Sequence, residues 1–339
     1  MHTVSSILKT GVIILICLLF VAFVYFFVGW PQTSRGTDYG ITWSKPYAEF
    51  LGLNVNDGLR AALADFGIKQ VRIPVYWPYA EPQKGKYDWS WLDQQMTIIS
   101  QAGAKAILVV GVKQPRWPEC WVPDWLSSLS ANQRTAERFA YIQAVLDRYG
   151  KNSAVLAWQV ENEPDFSFGT CDPVSRNVIA SEMNLVKTFE ERNGTNRPIF
   201  TTASGELSSW LGYAGKTDGI GVSVYRNVIS PWGIFHYPFP SWFYARKAAL
   251  VRPFAGMVYV SEFQMEPWVK GNLPTMSLEE QFKTFSLASM KDNFVYASRL
   301  NFPWVDFWGA EWWYWMKTQK NHPEFWETAK IFFQSQKHS

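Results

Sequence analysis

The sequence predicts an α/β protein, a closed (β/α)8 barrel of the TIM type preceded by one apolar transmembrane helix. Eight short apolar stretches typical of buried strands alternate along the chain with longer stretches typical of amphipathic helices. The 339 residues, 47% of them hydrophobic, suffice for one barrel of about 250 residues plus insertions. A doubly wound open sheet is the alternative, but no Gly-x-Gly-x-x-Gly motif follows an early strand.

The amino-terminal segment 11–30 contains no charged residue. As a helix it would span about 30 Å, the thickness of the hydrocarbon core of a bilayer. We predict a signal anchor over residues 1–30, a short stem over 31–37 and one barrel domain over 38–339. The alternative is a cleaved signal peptide, although no Ala-x-Ala site follows the segment. With the amino terminus in the cytoplasm, the barrel domain would be membrane-anchored and extracytoplasmic.

The predicted strands share a short apolar run that ends at polar or turn-forming residues. In chain order they are 39–43, 70–75, 106–110, 154–163, 198–202, 220–225, 257–262 and 305–308. Helices are predicted at 56–66, 89–102, 132–149, 173–191, 207–213, 241–250, from 277 onward and at 323–334. Gly67 and Gly150 close two of these helices, and Ser277 with Glu280 forms a capping box at the start of another.

Two of the predicted strands end in a glutamate, Glu163 on the fourth strand and Glu262 on the seventh. In a parallel barrel the carboxyl ends of all strands meet on one face, and active sites lie there. A carboxyl group on this face is a candidate proton donor, and cleavage of a glycosidic bond normally needs two carboxyls. The pair therefore predicts a glycosidase, and the alternative is two surface or ion-paired glutamates.

The motifs Asn162-Glu163-Pro164 and Ser261-Glu262-Phe263 resemble those of clan A glycoside hydrolases, which include families 5, 39 and 42. The resemblance implies a retaining hydrolase of β-glycosidic bonds in poly- or oligosaccharides. Glu163 would be its acid/base and Glu262 its nucleophile, with the two carboxyls about 5 Å apart. The alternatives are an envelope or exopolysaccharide transglycosylase that uses the same carboxylates, and a non-catalytic carbohydrate-binding barrel.

The resemblance also implies four substrate-binding positions. Arg72, on the second strand, would hold the nucleophile carboxylate and keep it ionised, and the alternative is a structural ion pair. Asn162 would bond the sugar 2-hydroxyl, and the alternative is an amide that only finishes a strand. Tyr225 would lie near the nucleophile, and Trp308 would form a platform under the sugar.

Other side chains follow strand ends and are candidate contacts at the rim of the site. Glu161 is expected one layer deeper than Glu163 on the same face, paired with an inward arginine or lysine. Candidate rim contacts after the first and third strands are Trp43, Lys113, Gln114 and Trp117. Candidate partners for substrate hydroxyls in later loops are Glu206, Glu266 and Glu311.

Cys120 and Cys171 lie in the predicted loops after strands three and four, which are neighbours in a barrel. In an exported domain they could form a disulfide, and the alternative is two unpaired thiols.

The composition bounds the partners of the chain. The net charge is only +3 and there is no long basic run, so the sequence lacks the positive charge typical of nucleic-acid-binding proteins. Neither His-Glu-x-x-His nor Cys-x-x-Cys occurs, so we predict no metal and no cofactor. The 19 Trp, 24 Phe and 15 Tyr favour a carbohydrate cleft, although aromatic residues also build cores. The oligomeric state is not predicted.

Overall fold

A computed structural model of the chain describes residues 2–31, 36–172, 174–230 and 232–336, with side chains described from residue 7 onward. Eight parallel strands close into a barrel in the order β1-β10-β9-β6-β5-β4-β3-β2, and β7 pairs with β8 in a separate antiparallel hairpin. The strands are β1 Asp38–Thr42, β2 Gln70–Pro74, β3 Lys105–Val110, β4 Val155–Val160, β5 Ile199–Ala203, β6 Gly219–Val224, β7 Asn227–Ser230, β8 Gly233–His236, β9 Met257–Gln264 and β10 Trp304–Trp308.

Helices surround the barrel, which confirms the predicted (β/α)8 class. They are α1 His2–Phe27, α2 Lys45–Phe50, α3 Val55–Phe66, α4 Trp77–Ala80, α5 Ser90–Gln101, α6 Ala131–Tyr149, α7 Arg176–Arg192, α8 Ser241–Ala255, α9 Leu278–Phe282, α10 Leu287–Ala297, α11 Ala310–Gln319 and α12 Glu324–Ser335. Their boundaries follow local signals: Ser130 and Gln133 form a capping box on α6, and Gly67 ends α3 with a φ of 62°.

Ile107, Ala157, Phe200 and Tyr259 form a small buried cluster of their own within the barrel. Gln70 of β2 and Asp306 of β10 are also buried, and they are joined by a 2.8 Å hydrogen bond. The larger core lies between the outer faces of the strands and the helices. A layer of polar side chains lies toward the carboxyl end of the barrel, the end at which active sites of this fold are found.

One predicted helix is wrong, because segment 207–213 forms turns. Between β6 and α8 the chain forms the β7–β8 hairpin. The aromatic run after β10 is the helix α11, where the side chains of Trp312, Trp313 and Trp315 are buried.

The amino-terminal helix α1 contains a 21-residue apolar segment, Ile7–Phe27, that is long enough to cross a membrane. A signal sequence passes the same test of length and composition. Its last turn packs on α8, where Phe26 and Phe27 contact the ring of Phe243 and the Arg246 guanidinium donates to the carbonyl of Val28 at 2.9 Å. Of the predicted stem, residues 32–35 lie outside the described residues.

Candidate active site

Arg72 is the centre of the polar layer at the carboxyl end of the barrel, and it is fully buried. Its Nη1 lies 2.7 Å from Oε1 of Glu262, and its Nη2 donates to Oδ1 of Asn162 at 2.8 Å. Its Nε donates to Oε1 of Gln159 at 2.7 Å. Burial alone would lower the pKa of Arg72, but the negative charge of Glu262, its hydrogen bond, and the smaller effects of Tyr259 and Asp306 together raise the pKa, so the guanidinium stays charged.

Glu262 lies on β9, and its side chain is held from two directions. Oε1 accepts from Arg72, and Oε2 accepts from the hydroxyl of Tyr225 at 3.1 Å. The residue is only 4% exposed. A buried carboxylate with one charged and one neutral donor is stabilised in its ionised form and fixed in orientation.

Glu163 lies three residues beyond the end of β4 and is 7% exposed. Its backbone N–H donates to Oγ1 of Thr202 at 2.8 Å, and its Oε1 accepts from Oγ of Ser223 at 2.7 Å. Ser223 is the register partner of Glu262 across β6 and β9, so it places the Glu163 carboxyl beside the strand that carries Glu262.

The two glutamates have different electrostatic surroundings. Burial, and after it the negative charge of Glu262, raises the pKa of Glu163 to about 7, although the Ser223 hydrogen bond opposes this rise. Glu262 instead has the Arg72 cation against it. Glu163 therefore keeps its proton to a higher pH than an ordinary glutamate, while Glu262 lies against a cation, an arrangement suited to acid catalysis together with nucleophilic attack.

The backbone after β4 is strained in the segment that contains Glu163. Glu161 and Glu163 have φ angles of 59° and 44°, a region that residues other than glycine seldom occupy. The strain is held in place by hydrogen bonds, including Asn162 N–H to the Lys113 carbonyl at 2.7 Å. Lys113 also donates its Nζ to the carbonyls of Glu163 at 2.9 Å and Phe166 at 2.6 Å, so it positions this loop.

Asn162 has one amide atom free for a ligand. Its Oδ1 accepts from Arg72 and from Oγ1 of Thr202, the latter at 2.9 Å. Its Nδ2 is buried and has no hydrogen-bond partner among the described residues. A buried donor without a partner costs free energy, so this atom is a candidate contact for a bound hydroxyl.

Glu161 pairs with an arginine, Arg138 of α6, at 2.7 Å, and accepts from the backbone N–H groups of Val112 and Lys113. Its placement differs from the prediction, because the side chain enters the layer between strands and helices rather than the barrel interior. The reason is the strand end at Val160, beyond which residues no longer alternate between faces.

Trp308, at the end of β10, lies against a charged cluster. The Arg116 guanidinium is sandwiched between the rings of Trp308, 3.8 Å away, and Tyr47, 3.6 Å away. Arg116 pairs with Glu266, and its Nη2 lies 3.1 Å from Glu311. These two glutamates were candidates for substrate hydroxyls, but the structure places them in the ion pairs that hold Arg116.

Glu206 is likewise engaged by protein groups. Its Oε1 accepts from the backbone N–H of Tyr225 at 3.0 Å and from the Tyr244 hydroxyl at 2.6 Å. It therefore supports the Tyr225 backbone at the end of β6.

The predicted rim contacts fall into two groups. Trp43 is fully buried against α3, where a Cβ on Gly58 would lie 2.6 Å from its ring. Gln114 is buried too, and its amide donates to the carbonyls of Val75 and Gly111 at 2.7 and 3.0 Å. Neither position fits a contact at the rim. Trp117 does reach the surface, with 67% of its area exposed.

The loop after β3 contains a further buried carboxyl that sequence reasoning missed, Glu119. Its Oε2 lies 3.5 Å from Nζ of Lys113. Burial and then the charge of Glu163 raise its pKa well above the ordinary range. Next to it, Cys120 and Cys171 form a disulfide with a Cα–Cα distance of 4.8 Å, which ties this loop to the loop after β4.

The described residues contain no group of three or more His, Cys, Asp or Glu side chains that could hold a metal ion. The contacts around Glu163 and Glu262 are hydrogen bonds and ion pairs of the protein itself.

Comparisons with known proteins find sequence relatives among beta-galactosidases. The family model of glycoside hydrolase family 42, described as beta-galactosidase, matches residues 60–177. Beta-galactosidase BgaA of Clostridium cellulovorans is 26% identical over 173 residues, which cover 44% of this chain and 25% of that protein. Beta-galactosidase BgaH of Haloferax lucentense is 27% identical over 119 residues, or 30% of this chain and 18% of that protein. The chain thus spans a quarter or less of the length of these curated relatives.

Solved structures share the fold at low identity. A family 5 subfamily 18 enzyme of Bifidobacterium longum superposes with a TM-score of 0.58 and 14% identity, over 81% of this chain and 70% of that one. The beta-galactosidase of Halorubrum lacusprofundi superposes with a TM-score of 0.53 and 14% identity, over 80% and 52%. These superpositions show the shared fold, and the family model together with the sequence relatives supports a clan A glycoside hydrolase.

Proposed function

We propose that the protein is a retaining β-glycosidase with Glu163 as acid/base and Glu262 as nucleophile. The observation that carries the proposal is the contrast between the two carboxyls, one clamped as a carboxylate by Arg72 and Tyr225, the other buried with its pKa raised to about 7. The same site holds Asn162 with an unpartnered amide N–H.

In the first step, a Glu262 oxygen attacks the anomeric carbon and forms a glycosyl ester. The bond from that carbon to the leaving oxygen breaks, and Glu163 gives its proton to that oxygen. In the second step, water attacks the same carbon, Glu163 takes the proton of the water, and the ester bond to Glu262 breaks. Two inversions give retention of configuration.

The same two residues explain how Glu163 changes from acid to base. In the free enzyme, the negative charge of Glu262 helps to raise the pKa of Glu163. Ester formation removes that charge, so the pKa of Glu163 falls and the carboxylate becomes a base for the incoming water. In this mechanism the Nδ2 of Asn162 donates to the hydroxyl next to the anomeric carbon, and Tyr225 and Trp308 line the subsite of the cleaved sugar.

The first substrate to test is a β-galactoside, because the matched relatives are named beta-galactosidases. The experiment is hydrolysis of 4-nitrophenyl β-D-galactoside, glucoside, mannoside and xyloside by the full-length protein in detergent, with 4-nitrophenyl α-D-galactoside as the control. We expect hydrolysis of at least one β-glycoside and none of the α-anomer. Product formed only with an added acceptor sugar would favour the transglycosylase, and no turnover of any kind would contradict the proposal.

The pH dependence follows from the pKa of Glu163. The first step requires its proton, so we expect kcat/KM to fall as pH rises through about 7. Replacement of Ser223 by alanine removes a donor that stabilises the ionised carboxylate, so this alkaline limb should move to higher pH. The measurement is kcat/KM from about pH 4 to 10. The exposed Ser181→Ala variant is the control, and an unmoved limb in Ser223→Ala would contradict the assignment of Glu163.

We also propose that α1 anchors the protein in a membrane with the barrel outside the cytoplasm, supported by the 21-residue apolar segment and its packing on α8. The test is the intact mass of protein retained in carbonate-washed membranes. A chain that has lost residues 1–30 and is released in soluble form would instead support a cleaved signal peptide.

A further inference from the structure

Four aromatic rings form a continuous row that begins at the catalytic pair, and we call this row the aromatic arc. Its members are Tyr225, Trp268, Phe168 and Trp117. The ring centroids lie 5.2 Å apart between Tyr225 and Trp268, 6.0 Å between Trp268 and Phe168, and 6.0 Å between Phe168 and Trp117.

The arc connects the site to the protein surface. At its inner end, the hydroxyl of Tyr225 donates to Oε2 of Glu262. At its outer end, 67% of Trp117 is exposed, an unusual amount for a ring of this size. Trp268 and Phe168 between them are half-buried. The arc therefore leads outward from the reacting atoms and does not belong to the closed core.

The two loops that carry the outer rings are fixed to each other. The disulfide Cys120–Cys171 joins the loop of Trp117 to the loop of Phe168, and the backbone N–H of Thr170 donates to the carbonyl of Pro118 at 3.0 Å. Such cross-links hold the rings in place before a ligand binds, which lowers the entropy cost of binding.

The chemistry of the arc selects its ligand. Its four side chains carry no charge, and aromatic rings pack well against the apolar C–H faces of sugars. The position of the arc indicates on which side of the scissile bond it lies. Glu163 gives its proton to the leaving oxygen, and Phe168 follows Glu163 by five residues in the same loop, so the arc lies on the leaving-group side. We infer that the three outer rings of the aromatic arc, those of Trp268, Phe168 and Trp117, bind uncharged sugar residues on the leaving-group side, so that the preferred substrate is an oligo- or polysaccharide rather than a simple glycoside.

This inference rests on the proposed function, and its test separates the two. β-Glycosyl fluorides have no leaving-group sugar, whereas β-1,4-linked galactotriose, cellotriose, mannotriose and xylotriose have one or two. We would measure kcat/KM of the wild type, Trp117→Ala and Phe168→Ala on these trisaccharides and on the matching fluorides. The ratio of the two values cancels losses that come from misfolded protein. The control is Trp232→Ala, because Trp232 is 95% exposed on the β7–β8 hairpin and lies outside the arc.

We expect the trisaccharide-to-fluoride ratio to fall about tenfold in each arc variant, the effect of losing one well-packed aromatic contact, and to stay constant in Trp232→Ala. A wild type that hydrolyses a fluoride, with the ratio unchanged in both arc variants, would overturn the arc as a sugar site and leave the proposed function standing. A wild type that hydrolyses none of the fluorides would overturn the proposed function itself.

Discussion

Replacement of Glu262 by glutamine is expected to reduce kcat for β-glycoside hydrolysis by about 10⁴-fold, the scale on which loss of a nucleophile acts. Glutamine keeps the size of the side chain and can accept a hydrogen bond from Arg72, but its amide cannot form the glycosyl ester. The measurement is single-turnover and steady-state hydrolysis of the best aryl glycoside. Glu279→Gln, on the exposed start of α9, is the matched control. Activity within tenfold of the wild type would exclude Glu262 as the nucleophile.

Azide distinguishes the roles of the two glutamates. In Glu262→Ala, azide can enter the vacated space and attack the anomeric carbon once, so we expect an α-glycosyl azide from a β-glycoside. In Glu163→Ala, the Glu262 ester forms first with an activated leaving group, and azide then attacks it to give the β-glycosyl azide. The same anomer from both variants would contradict the assignment.

Replacement of Arg72 by methionine is expected to have the second-largest effect, on both activity and stability. The change leaves the buried Glu262 carboxylate without its cation and removes donors to Gln159 and Asn162. Loss of one partner of a buried ion pair costs about 3–5 kcal/mol in the free energy of unfolding. We expect kcat to fall at least about a hundredfold as well, because Glu262 loses the group that keeps it ionised and oriented.

The control for this prediction is Arg60→Met, since Arg60 forms an exposed ion pair with Asp57 that should contribute little. The measurements are denaturant unfolding and kcat for both variants. A loss of activity with unchanged stability would still support the catalytic contact. Unchanged activity in a folded Arg72→Met variant would show that the arginine is only structural.

The positions of site residues that lie on strands, or just after a strand end, could be predicted from the sequence. Arg72 and Glu262 lie on strands, Asn162 and Glu163 directly follow one, and strand ends converge in any closed parallel barrel, so these side chains could be placed together without coordinates. Ser223 is also marked by a sequence pattern. It continues the alternation Gly219, Gly221, Ser223 of small residues in β6, and a Cβ on Gly221 would lie 2.7 Å from Cβ of Ser261 on β9.

Residues in loops could not be placed in this way. Glu119 follows Arg116 in a loop where both residues have positive φ angles. The hydrophobic periodicity of a sequence does not predict the course of such a loop. Glu161 shows the same limit, since its predicted face depended on a strand that ends one residue earlier. Trp43 and Gln114 lie at the predicted end of the barrel, but whether each side chain faces a cleft or the core depends on packing with α3 and the loop after β3.

The proposed mechanism depends most on which carboxyl forms the bond to the sugar. The most direct measurement is peptide mass mapping of the full-length protein after inactivation with 2,4-dinitrophenyl 2-deoxy-2-fluoro-β-D-glycosides of galactose and glucose. These slow substrates allow the first step and delay the second, so the ester accumulates. We expect one adduct of a single fluorosugar, located on the peptide that contains Glu262 and absent from Glu262→Gln. An adduct on Glu163 or Glu119, with Glu262 unmodified, would contradict the account.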